Sequence, residues 1–232
     1  MNVDMRLTEI NRFADEIRRL IAAGDSAVLR APSALPDWTR AHVVAHIIGV
    51  SHALARQLEY ALRGETVEVY DGGQAGRNAE IERVAALSPE LLHSRVDTAL
   101  ARLTAAIDAV RLRGDWAAPI VYRDGVAADG LDAAWRELAV HVCDLDLDVT
   151  NARWSPEFAR HLFEFLAECV PENTVIVLGS PDGDLSVGTG GRVVRATATP
   201  QDFAAWLAGR RPAGPVHFDP DEPVLKPWPP RR

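Results

Sequence analysis

Apolar positions recur every three to four residues through most of the first 170 positions, then give way to short alternating runs. Leu7, Ile10, Phe13, Ile17, Leu20 and Ile21 predict a helix over 6–28. Pro32 to Pro36 breaks it, and Asp37 is the expected N-cap of a helix from Trp38 to Arg63 that Gly64 stops. Its stripe is Val43, Ile47, Val50, Leu54 and Ala61. A turn-rich loop with Asp71-Gly72-Gly73 follows, then Arg77 to Leu87, a short helix or ordered loop. Ser88-Pro89 pairs a capping hydroxyl with proline at the first helical position, starting a helix to Arg113 that Gly114 closes. A loop over 114–130, with Ile120-Val121-Tyr122 as a candidate short strand, leads to helices over 131–149 and from Pro156 to Glu168.

The character changes near Pro171. Thr174 to Leu178 is β-branched and apolar, Asp182-Gly183 is a turn, and Leu185 to Val187 and Arg192 to Ala198 alternate like strands. Thr199-Pro200-Gln201-Asp202 has the form of a capped helix start, and that helix should run to Gly209. The tail from Pro212 carries too many prolines for regular structure. The pattern is mainly α: a helical bundle over 1–170 and a small α+β domain over 171–232, without repeats.

Composition narrows the function classes. The chain has 232 residues, and at 47% hydrophobic it can fill a core. A net charge of −8 argues against a nucleic-acid partner, which needs basic stripes. Two cysteines, Cys143 and Cys169, make neither a disulfide framework nor a cysteine-rich metal site. The mixed charges before Arg18 do not resemble a signal peptide, and no apolar run is long enough to span a bilayer. The expectation is a cytoplasmic protein with no membrane partner; the oligomeric state is open.

The chemistry concentrates in Trp135 to Leu145. Glu137 and His141 are four residues apart, so on a helix they share one face, with Asp144 three residues further on. Far upstream, His46 lies at the edge of the Val50 stripe, better placed to look into a core than His42 or His52. If these helices meet, His46, Glu137 and His141 form a two-imidazole, one-carboxylate set for one metal ion, most suitably Zn²⁺, with a fourth position open. The residues alone leave other readings. Glu137 and His141 also suit a surface helix pair, and His46 a core histidine bonded to a carbonyl. Asp144 either fixes an imidazole tautomer or is a solvated acid at a helix end.

Several segments resemble one family. Asp37-Trp38-Thr39-Arg40-Ala41-His42-Val43-Val44-Ala45-His46, Arg77-Asn78-Ala79-Glu80-Ile81-Glu82, Arg136 to Leu145, and Ala205-Trp206-Leu207-Ala208-Gly209-Arg210 occur in the order and spacing of the mycothiol-dependent maleylpyruvate isomerases. Asp37 replaces the glycine usual there. The resemblance implies a DinB-like four-helix bundle followed by a sterol-carrier-like α+β domain. It implies zinc on His46, Glu137 and His141, and a catalytic arginine at Arg210. It further implies mycothiol as the thiol cofactor and maleylpyruvate, a small dicarboxylate of aromatic catabolism, as the substrate isomerised to fumarylpyruvate. Arg77 and Asn78 are candidates for binding the thiol. Alternatives within the fold are a mycothiol S-transferase or another zinc- and thiol-dependent enzyme; a non-catalytic ligand-binding protein is the alternative of a different class.

Overall fold

The structure is a computed structural model that describes residues 2–179 and 183–227. It divides into two compact units, Met1–Asp148 and Val149–Arg232. The first contains α1 (Val3–Ala23), α2 (Ser26–Arg30), α3 (Arg40–Ala61), α4 (Gly73–Ala85), α5 (Pro89–Arg113) and α6 (Ala127–Asp144). Four of these close a ring: α3 packs on α5 and α6, and α1 packs on the same two. The bundle's interior holds Ile10, Phe13, Ile17, Val43, Ile47, Leu54, Leu58, Leu100, Leu103, Leu131 and Leu138, all buried. Each such side chain contributes about 1.5–3 kcal/mol through its removal from water. Trp135 of α6 donates its indole N–H to Glu9 of α1 at 2.8 Å, so one buried ring is tied across two helices.

Several local rules operate as the sequence suggests. Ser88 caps α5 through the Leu91 N–H, Pro89 occupies its first turn, and Gly114 ends it in the left-handed region at φ 74°. Other boundaries differ for identifiable reasons. The first helical stretch breaks at Gly24, and Asp25 caps α2 by accepting the Val28 N–H at 2.9 Å. Asp37 does not cap α3: it has φ 63°, and Thr39 is the N-cap. The stretch left open as helix or loop is α4, which packs on α3 and buries Ile81, Val84 and Ala85.

Helix α6 begins at Ala127, four residues before the expected start, because Asp129 reaches back to the Val126 N–H at 2.8 Å. Gly130 reads as a breaker but lies inside the helix. A Cβ there would stand 3.1 Å from Leu58 Cδ2, so glycine permits close approach of α6 to α3. The candidate strand at 120–122 does not form. Gln57 of α3 takes the Val121 and Tyr122 N–H groups on its side-chain oxygen, at 2.8 and 3.0 Å, and a short 3-10 turn follows at Tyr122–Asp124.

The second unit contains α7 (Pro156–Leu166), β1 (Thr174–Leu178), β2 (Leu185–Thr189), β3 (Arg192–Thr197), α8 (Pro200–Leu207) and β4 (His217–Asp219). Its sheet has the order β2-β1-β3-β4. β1 pairs antiparallel with β2 and parallel with β3, and β3 pairs antiparallel with β4. Ile176, Leu178, Val187, Val194 and Ala196 make its buried side. The units divide at 148/149 rather than near 171. Helix α7 joins the second because its apolar face packs on α8, with Phe163 edge-on to Phe203 at 5.3 Å. The proline-rich tail does contain regular structure: β4 fits between Pro215 and Pro220 and pairs Phe218 with Ala196 on β3. The expected turn at Asp182-Gly183 falls partly outside the described residues, as does the end of the tail. Among the described residues no helix is long and apolar enough to cross a membrane.

Candidate metal centre

Helices α3 and α6 run antiparallel at close range, with Leu58 facing Gly130 and His46 facing Glu137 and His141. Two polar ties hold their ends in register. Arg40, in the first turn of α3, donates to the carbonyls of Leu145 and Asp146 beyond α6, both at 2.8 Å. The Ala34 N–H donates to the Asp144 carbonyl at 3.0 Å. These contacts satisfy carbonyls that a helix end leaves without intrahelical partners.

Three donor atoms converge in this frame. His46 Nε2 lies 3.0 Å from Glu137 Oε2 and 2.9 Å from His141 Nε2; His141 Nε2 lies 3.2 Å from the same carboxylate oxygen. Both histidines are buried and Glu137 is nearly so. A tetrahedral zinc with arms of 2.0–2.1 Å has ligand atoms about 3.3 Å apart, so the separations suit one small ion. Two imidazole nitrogens at 2.9 Å are held together by a proton on one of them or by a cation between them. The donor set, its spacing and its burial therefore fit a metal bound by His46, Glu137 and His141.

The electrostatics agree. Burial, reinforced by the charge of His141, pushes His46 down to about 4. Burial also works against charge on His141, but Asp144 and Glu137 outweigh it and raise that imidazole to about 9. Burial opposes ionisation of Glu137, yet the hydrogen bonds from His141 and His46 hold its carboxyl well below the usual range. The cluster thus favours charge on Glu137 and on His141, between two carboxylates, and a neutral His46.

The surrounding residues divide by role. Asp144 is 1% exposed, and its Oδ2 lies 2.8 Å from His141 Nδ1. At that distance the Asp144 carboxylate acts on the imidazole first as a hydrogen-bond partner and then through its charge. His42 turns back to the helix start: its Nδ1 accepts the Thr39 N–H at 3.2 Å, which removes it from the centre. Arg77 of α4 donates to His46 Nδ1 at 3.0 Å and to Asn78 Oδ1 at 3.1 Å. Ligation through Nε2 would place the His46 ring proton on Nδ1, so that ligation and the Arg77 donation are alternatives. Asn78 is exposed and braces Arg77. Arg210 belongs to the second unit, where it follows Gly209 (φ 66°) and donates from its NH1 to the Ala208 carbonyl at 2.9 Å.

Sequence patterning missed two residues beside the centre. Trp38 packs its ring 6.0 Å from that of His46. Tyr70, in the loop before α4, lies under the Arg77 guanidinium at 5.9 Å and within the electrostatic influence of Glu137. The Trp38 segment carried a motif signal; Tyr70, in an irregular loop, carried none.

A family model described as the mycothiol maleylpyruvate isomerase N-terminal domain matches residues 10–146. No functionally curated protein matches the chain. Among solved structures, the crystal structure of the mycothiol-dependent maleylpyruvate isomerase is similar, with a TM-score of 0.86, 24% identity, and 98% of each chain covered. A histidine-to-alanine mutant of the mycothiol-dependent maleylpyruvate isomerase gives 0.86, 23% and the same coverage. At these identities the structural likeness speaks for the fold.

Proposed function

The chain belongs to the mycothiol maleylpyruvate isomerase family, and on that footing we propose that it is a zinc- and mycothiol-dependent isomerase converting maleylpyruvate to fumarylpyruvate. The observation that carries this is the meeting of two imidazoles and a carboxylate at one point between α3 and α6. His46, Glu137 and His141 would hold the zinc, and Asp144 would orient His141 and raise its basicity. Bound there, zinc would stabilise a thiolate or polarise a substrate oxygen, and mycothiol would supply the sulfur that adds reversibly to the substrate's double bond.

The burial of His46 and His141 strengthens the electrostatic interactions made there. Rotation about the substrate's central bond requires its π character to be removed, so donors must stabilise the negative charge that addition drives onto the conjugated ketone. Arg210 pairs with a substrate carboxylate, for which a guanidinium's forked donors are suited.

The test is optical: isomerisation of maleylpyruvate by the purified protein, with mycothiol present and withheld. Turnover that depends on the thiol supports the reading; turnover without it, or none with it, contradicts it. Arg210→Ala is expected to keep its metal and lose at least about 100-fold in kcat/KM, corresponding to about 2.7 kcal/mol. An unchanged kcat/KM would make Arg210 a surface cation.

A further inference from the structure

Helices α3 and α6 each contain one glycine, and the two differ in what surrounds them. At Gly130 of α6 an added Cβ would stand 3.1 Å from Leu58, so that glycine serves close packing. At Gly49 of α3 an added Cβ would meet no atom of the described residues within 4 Å, its own helix backbone aside. Gly49 lies in the middle of a regular helix, so neither a left-handed turn nor a close approach calls for glycine there. Glycine inside a helix is less stable than alanine, because its backbone loses more freedom on folding. The position gives up helix stability and holds space instead.

That space is a slot, not outer surface. Ala45, His46, Val50 and Ala53, which neighbour Gly49 on the helix, are all buried. His42, Gly49 and Arg56 follow one another at two-turn intervals, so they lie nearly in line along α3, about 10 Å from one to the next. At both ends of this line the chain around α4 is tied to α3. His42 Nε2 lies 3.3 Å from Glu82, and Arg56 donates to Asp71 at 2.7 Å. The segment from Asp71 to Glu82 therefore spans Gly49 without touching the place a Cβ would occupy. Gly49 itself is half-buried, so the slot opens outward.

The slot adjoins the metal centre. Gly49 follows His46 by about one turn, and helical side chains lean toward the N-terminus, so a side chain at 49 would lie over Ala45 and His46. Going from His46 toward Leu58 on α3 corresponds, on antiparallel α6, to going from His141 toward Gly130, past Glu137. Glu137 is the most exposed of the three donor residues, its side chain 18% accessible against 7% and 8% for the histidines. The centre is thus open on the side where Gly49 has no side chain. We propose that Gly49 is a specificity-determining residue: its missing side chain leaves the slot in which the carbon chain of a thiol lies while the sulfur meets the open ligand position. This rests on the isomerase reading above. Ala45 and Ala53, one turn to either side of Gly49, offer no charge to pair with a carboxylate, so the slot suits the chain behind a thiol better than a dicarboxylate.

The experiment compares wild type with Gly49→Ala and Gly49→Leu, each loaded with Co²⁺ so that thiol binding is read from sulfur-to-cobalt absorption. All three should hold about one cobalt per chain. Gly49→Ala adds a methyl that touches nothing, so the metal-free Tm should rise by about 1–4 °C and mycothiol should bind within about twofold of wild type. Gly49→Leu fills the slot, so mycothiol should bind at least about tenfold more weakly, while azide, which is too small to need the slot, stays within about twofold. Equal mycothiol affinity in wild type and Gly49→Leu would overturn the assignment. A lower Tm in Gly49→Ala, or loss of cobalt from Gly49→Leu, would do the same by showing that the space is filled. If the wild type does not isomerise maleylpyruvate, the isomerase reading itself has failed. The slot is then judged by benzylthiol on the same cobalt proteins. About tenfold weaker binding to Gly49→Leu, with azide unaffected, supports the slot, and equal benzylthiol affinity overturns it.

Discussion

Each unit buries a polar cluster built around a carboxylate, and the two clusters are opposite in kind. In the second unit, Asp202 receives the Asn151 amide at 2.8 Å, the Gly214 N–H at 2.9 Å and the Thr199 hydroxyl at 2.6 Å. Asn151 in turn accepts the Ala213 N–H at 2.8 Å. Donors and acceptors there match one for one, and the result is a pin holding the segment after α8. In the first unit, His46 Nε2, His141 Nε2 and a Glu137 oxygen converge within 3.2 Å of one another. The matched cluster is complete within the protein, whereas the convergent one has the donor set to take a cation from outside. Burying polar groups is costly in both cases, and the identity of the completing partner separates structure from chemistry.

Substitutions should separate the two clusters. The largest effect is expected from His46→Ala or His141→Ala, which leave two ligands for the ion. Zinc content should fall from about one per chain to near zero, and turnover should vanish with it. Full metal retention in both variants would place the site elsewhere. Asp202→Ala should leave metal content unchanged but destabilise the protein by about 2–4 kcal/mol in chemical denaturation, because three donors lose their acceptor. Burial would raise the Asp202 carboxyl, but its donors outweigh that and hold it below the ordinary 3.8. Its contribution is therefore present in full above pH 3.8 and is lost as pH falls through the lower folded-state value. Asp202→Asn should flatten that part of the Tm profile below about pH 4, and an unchanged slope would contradict the pin. Asp144→Asn should be the mildest, weakening zinc by about 10- to 100-fold in chelator competition while leaving Asp202 and its partners undisturbed.

The contrast also explains what was legible in the sequence. Glu137 and His141 could be paired by helical spacing, and His46 by its place at the edge of an apolar stripe. These are local regularities, and the structure brings the three side chains together. Asp144 was ambiguous because one helix cannot show what covers its end; the covering segment includes Ala34, more than a hundred residues upstream. Gly130 was misleading since its missing Cβ serves contact with Leu58, a tertiary reason invisible in a local window. The bundle followed by an α+β region could be read from periodicity. Strand β4 could not, because proline density hid three residues whose partner is β3. Gln57 lies outside the apolar stripe of its helix, and only the folded loops show that its amide holds them at Val67, Val121 and Tyr122.

X-ray absorption at the zinc edge of the loaded protein tests the central claim most directly. The expected spectrum has only nitrogen and oxygen neighbours at about 2.0–2.1 Å, with the outer-shell scattering of two imidazoles. A spectrum without imidazole scattering, or one with sulfur neighbours, would contradict a metal held between α3 and α6.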